Sequence, residues 1–297
     1  MKPLLLTLLA VSCATEKTSK PVFDPAKVIA VQNELILSLK EKEADNRGFL
    51  TGLLNEGDSF LWQAKWCAVS GCDMNEYESG GRGKYCRDID CDVHLSDDNG
   101  DGRADSNTSW SGDMAVCGLI PWSLLEKKTD EMAKHVQYGE ANRWRMGDLA
   151  EGLTTAQILD ANTRVLYSFS LQRQMRNVRD YLEGKGTVSL PFIDTGKDDY
   201  QAHLQACQIW AQAYMTGEAS EAMQTIVRKH HERVPKSPFY AYLHGLLNGE
   251  WQPVKDICES EEVYLGDYIR CDGSKHCAYA EKVFSCELTI RSVNKKG

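Results

Sequence analysis

Val28, Val31, Leu35 and Leu39 recur at three- and four-residue spacing among Lys and Glu, the pattern of an amphipathic helix. Asp24-Pro25 precedes the run, and proline suits the first helical position, where its missing N–H costs no intrahelical bond. Phe60, Leu61, Ala64 and Ala68 repeat the spacing and stop at Gly71. Residues 114–134 predict a further helix, started late or bent at Pro121. Ile158, Val165, Leu166 and Phe169 begin a long helix that runs to Gly184. Leu204, Ile209 and Ala213 follow Asp198-Asp199, Ala222, Ile226 and Val227 follow Glu218, and Phe239, Leu243 and Leu246 follow Pro238. Strand-like patterns are few, and residues 187–190 and 287–290 read as short edge pieces.

Helices joined by short loops predict a mainly α fold, a multi-helix orthogonal or toroid-like helical-hairpin domain over residues 26–297 with little β structure. Gly-Asp recurs at Gly57-Asp58, Gly112-Asp113, Gly147-Asp148 and Gly266-Asp267. Aspartate at helix starts reads first as a cap for free N–H groups at the positive end of the dipole. The sharper reading gathers these carboxylates on one rim, with Asp58 and Asp113 as the candidates. That layout resembles the α/α-toroid fold of several glycan-cleaving enzyme families, a resemblance that implies paired carboxylates.

The N-terminus has the form of a secretory signal: Lys2, an apolar run from Leu4 to Val11, and small Ser12 before Cys13. Ala10-Val11-Ser12-Cys13 resembles the lipobox of bacterial lipoproteins, with Ala10 where that family usually has Leu. The resemblance implies that residues 1–12 are removed and that Cys13 carries lipid. Because Ala14 follows the cysteine, it also implies an outer-membrane lipoprotein facing the periplasm or the cell surface. Residues 13–25 are mostly polar, contain Pro21 and Pro25, and read as a tether. The alternative is an ordinary signal cleaved elsewhere.

Cysteine usage agrees with export. Apart from Cys13 the chain holds Cys67, Cys72, Cys86, Cys91, Cys117, Cys207, Cys258, Cys271, Cys277 and Cys286, an even set that reads as a disulfide framework. Zinc is the rival reading, but no C-x-x-C occurs. The residues cluster in a loop-rich insertion at 67–117 and a C-terminal region at 258–286, so each cluster pairs largely within itself. Cys207 is then left for the odd cysteine of the first cluster. The formal charge of −9, from 34 Lys+Arg against 43 Asp+Glu, argues against a nucleic-acid partner, whose phosphates demand clustered cations. It also leaves attachment to a membrane to the lipid.

Asp97, Asn99, Asp101 and Asp105 place oxygen side chains at alternate positions, with Gly102 at the turn and the Arg103 carbonyl available after it. Hard cations such as calcium take six to eight such oxygens. The spacing resembles the EF-hand loop and departs from it at Thr108, where the family has a bidentate Glu. A structural calcium ion is the expectation, and a solvated acidic turn is the alternative. His230-His231 closes a basic helix end, where cations complement the dipole. The seven tryptophans read mainly as core, with Trp110 as an exposed platform. No H-E-x-x-H, G-x-S-x-G or P-loop occurs. The sequence therefore favours a non-catalytic envelope protein in a structural or binding role, with a protein or glycan ligand. A glycan-processing hydrolase is the alternative.

Overall fold

The computed structural model describes residues 25–54, 59–87, 89, 95–96, 106–107, 112–145, 167–195, 199–264 and 275–294. Within them the fold is mainly α, as the periodicity predicts. The helices are α1 (Pro25–Lys42), α2 (Ser59–Ser70), α3 (Ile120–Glu126), α4 (Thr129–Ala141) and α5 (Phe169–Leu182). They continue with α6 (Asp199–Thr216), α7 (Glu221–Arg233), α8 (Pro238–Asn248), α9 (Gln252–Glu259) and α10 (Lys275–Asn294). A π-helical segment, Met114–Leu119, runs directly into α3. The described strands are β1 (Leu95–Ser96) and β2 (Ser106–Asn107), paired antiparallel with Leu95 opposite Asn107.

Local chemistry sets several boundaries where the sequence predicts them. Pro25 opens α1, and α2 stops at Gly71, whose φ of 85° suits glycine and whose N–H donates to the Cys67 carbonyl at 2.9 Å. Ser220 and Ser237, which the sequence reading does not single out, cap α7 and α8, their hydroxyls accepting from the Met223 and Tyr240 N–H groups at 3.3 Å.

Three expectations need correction. The α-helix does start late, at Ile120 with Pro121 in its first turn, but it does not continue to residue 134: Lys127 turns left-handed (φ 53°) and ends α3 before α4 begins at Thr129. The helix ending near Gly184 does not run through residues 167–168. Instead the Ser168 hydroxyl accepts from the Leu171 N–H at 3.3 Å and starts α5 there.

Neither predicted edge strand forms. At 187–190 the Asn177 side chain takes the place of a partner strand, accepting from the Val188 N–H at 2.7 Å and donating to its carbonyl at 2.9 Å. Residues 287–290 lie inside α10. That helix is enclosed on most sides, with Glu281, Ser285 and Thr289 as buried as Val283 and Phe284, so it carries no amphipathic stripe to read.

α10 packs against α1, α2, α8 and α9, while α7 packs on α8, α4 on α5, and the π segment on α2. Trp66, Trp122, Trp210, Tyr240 and Phe284 are fully buried in the shared core. Disulfides lock this arrangement: Cys67–Cys72 closes the end of α2, Cys117–Cys207 joins the π segment to α6, and Cys258–Cys286 joins α9 to α10. Cys86 and Cys277 are also disulfide-bonded. For these cysteines the disulfide reading holds over zinc, and Cys207 does pair with a member of the first cluster.

Candidate functional site

Two places bring chemistry-bearing side chains together. The first lies in the core. Lys65, in the apolar run of α2, places its ammonium 3.1 Å from Glu281 on α10, and neither side chain has any solvent exposure. Aromatic faces surround the cation, with ring centroids of Trp62, Phe239 and Phe284 at 4.6, 5.2 and 5.9 Å. Burial pushes the Lys65 ammonium below the usual lysine range, and Glu281 works against that shift. His203 on α6 stacks at the edge of the same group, its ring centroid 6.1 Å from that of Trp62. Burial, and then the Lys65 charge, push His203 well below the ordinary histidine value, so it is neutral.

One turn along α6, Cys207 Sγ lies 3.9 Å from His203 Nε2. Cys117, His203 and Cys207 have ligand atoms within 4.8 Å of one another, the arrangement of a soft-metal site. With the two sulfurs bonded to each other they have no thiolate to offer, and the group acts as a clamp between helices. Sequence reasoning missed Lys65, Glu281 and His203. The one available signal was a lysine inside Phe-Leu-Trp-Gln-Ala-Lys-Trp, an apolar stretch that should exclude it.

A second buried group docks the Cys-rich insertion on α4. His135 Nδ1 lies 2.8 Å from the Gly83 carbonyl, and its Nε2 is 3.4 Å from the Tyr167 hydroxyl. Burial pushes His135 down to about 4, against the bond to Gly83. The close approach requires glycine at 83: its φ is 81°, and an added Cβ would come within 2.5 Å of the Lys134 carbonyl.

The second place is a cavity of about 700 Å³ between the end of α3, α6, α8 and α10. Leu125, Leu246, Leu288 and Ile290 give it apolar walls, and Lys127 and Arg291 bring cations to it. Tyr214 also lines it; its hydroxyl donates to the Leu124 carbonyl at 3.4 Å. Glu287 is engaged on both oxygens, by Arg291 Nε at 2.7 Å and by Gln32 Nε2 at 3.0 Å.

Of the residues singled out from the sequence, Cys13, Cys91, Cys271, Asp58, Asp97, Asn99, Asp101, Arg103, Asp105 and Trp110 lie outside the described residues. So do Asp148 and Asp267. Asp113 is described and is buried rather than exposed on a rim. It makes no side-chain capping bond, because its own backbone is already helical, and its charge helps raise the Tyr167 hydroxyl. The two histidines at the end of α7 are not the expected cations. Burial pushes His230 down to about 4 and also lowers His231, which stacks on His244 at 4.7 Å. Trp62, Trp66, Trp122, Trp144 and Trp210 are core residues, as expected.

These features define a disulfide-stapled helical protein assembled around a buried ion pair. Comparison with protein-family models, with curated proteins and with solved structures finds no match.

Proposed function

We propose that this chain is a lipid-anchored, disulfide-stabilised protein of the cell envelope with a non-catalytic structural or binding role, and that its 97–105 loop holds a structural calcium ion. The observation that carries the reading is the state of the cysteines: Cys67, Cys72, Cys86, Cys117, Cys207, Cys258, Cys277 and Cys286 are all disulfide-bonded. Such a framework persists in oxidising compartments and is rare where thiols are kept reduced. Cys13 falls in a lipobox-like sequence, where lipidation would give its thiol a separate use.

The pairing of Ser96 with Ser106 supports the calcium reading, because it holds the two ends of the acidic loop together. Closing a loop in advance removes part of the entropy an ion would otherwise have to offset. Asp97, Asp101 and Asp105 repel one another without a cation, so binding raises stability by RT ln(1 + [Ca]/Kd), about 2.7 kcal/mol at a hundredfold excess over Kd.

Radiolabelled fatty acid fed to expressing cells tests the anchor. Label is expected on the wild type and absent from Cys13→Ala, and equal label on both removes the lipoprotein reading. Melting curves in chelator and in millimolar calcium test the ion. A rise with calcium that Asp97→Ala/Asp101→Ala abolishes is expected, and an unchanged wild-type curve leaves a solvated turn.

A further inference from the structure

The cavity bounded by α3, α6, α8 and α10 has a charge pattern that its own residues do not balance. We infer that it binds a small amphipathic organic anion, a single apolar chain carrying one carboxylate-type headgroup. This reading is independent of where the protein resides. The volume, about 700 Å³, falls in the range of roughly 300–1,000 Å³ typical of small-molecule sites. The walls are mostly buried apolar side chains: Leu125, Leu288 and Ile290 are 7%, 2% and 8% exposed. Both tyrosines in the wall have committed hydroxyls, Tyr214 to the Leu124 carbonyl and Tyr242 to the Ser292 hydroxyl at 3.3 Å, so they offer ring surface to an occupant.

The polar groups select the sign of the headgroup. Glu287 is already engaged by Arg291 on one oxygen and by Gln32 on the other, so its charge is largely committed within the protein. Arg291 uses Nε for that contact, and among the described residues its Nη groups meet no other carboxylate. The Lys127 ammonium also has no carboxylate within ion-pair distance among the described residues. Two donors for a charge-assisted bond thus stand at the edge of an apolar space. A cationic ligand would be repelled by both, a sugar would leave hydroxyls against Leu288 and Ile290, and a neutral chain would leave the two cations unused. Lys127 reaches this edge because it sits in the left-handed region at the end of α3, a position where glycine would be the unstrained choice. The side chain is there at the expense of backbone comfort.

The test uses the oxidised full chain and titration calorimetry with three twelve-carbon probes: laurate, dodecanol and dodecyltrimethylammonium. Laurate should bind one to one and at least about tenfold tighter than either of the others, and Lys127→Gln/Arg291→Gln should remove that preference. Both substituted side chains reach solvent, and a melting curve matching the wild type confirms that the variant is folded. Leu246→Trp, which narrows the space, should weaken binding of all three probes. Equal affinity for the three, no binding of laurate, or a double variant that keeps its preference for the anion would each overturn the inference. Binding to phosphatidylglycerol vesicles without binding to free laurate would also overturn it, in favour of a lipid surface.

Discussion

Lys65 and Glu281 stand 216 positions apart in the chain and meet at 3.1 Å with neither side chain exposed to solvent. A pair so deeply buried is fragile to partial removal, because the survivor keeps its charge and loses its partner. Lys65→Met is expected to cost about 3–5 kcal/mol, whereas Lys65→Met with Glu281→Leu should recover most of that loss. Urea denaturation of the single and double variants gives the comparison. A double variant as unstable as the single would mean that the polar group specifies the core rather than merely tolerating it.

Acid should weaken the fold in a defined window. His135 is held down to about 4 by burial, and its value in the unfolded chain is near 6.5. Its stabilising contribution is complete above pH 6.5 and falls as the pH drops towards 4, because over that range the unfolded chain binds a proton that the folded chain does not. The loss from this one residue reaches on the order of 3 kcal/mol near pH 4. His203 acts in the same direction. His135→Gln should flatten the pH dependence of the melting temperature between 6.5 and 4; a slope equal to the wild type would assign the effect to other groups.

The disulfides should differ in worth according to the loops they close. Cys117–Cys207 spans 90 positions and Cys67–Cys72 only 5. In the chain-entropy account the first contributes about 4.6 kcal/mol and the second about 2 kcal/mol. Paired replacement by alanine, compared by denaturant midpoints, checks the order. If removing Cys67–Cys72 proved the more damaging, strain or packing at the end of α2 would outweigh chain entropy.

Lys127→Gly should trade binding for stability. A non-glycine residue in the left-handed region costs about 1–2 kcal/mol, part of which glycine gives back through greater freedom in the unfolded chain, for a net gain near 1 kcal/mol. The same substitution removes one cation from the cavity and should weaken laurate binding. Melting and titration of one variant read the two effects separately, and a fall in the melting point would show that the Lys127 side chain helps hold α3 in place.

Local signals in the sequence were legible where one residue decides. Pro25, Gly71 and Pro238 marked helix ends, and the grouping of cysteines anticipated the bond from Cys207 to the first cluster. Periodicity failed where a helix has no wet side: α10 buries charged, hydroxyl and apolar residues alike, and Leu288-Thr289-Ile290 looked like a strand. The left-handed turn at Lys127 was hidden because lysine seldom takes it. The ion pair and the cavity were hidden for a different reason. Each is a meeting of residues remote in the chain, and neither Lys65 nor Arg291 carries any local mark of its partner.

The position of α10 also orders events in time. It is the last helix of the described chain, yet it supplies Glu281 to the core and Cys286 to the bond with α9. At synthesis rates of about 5–20 residues per second, Lys65 emerges roughly 10–40 s before its counter-ion exists. Until then the N-terminal half holds an ammonium that cannot be buried alone, so premature collapse is penalised. Closure of the core around Lys65 therefore waits for α10, the last helix among the described residues.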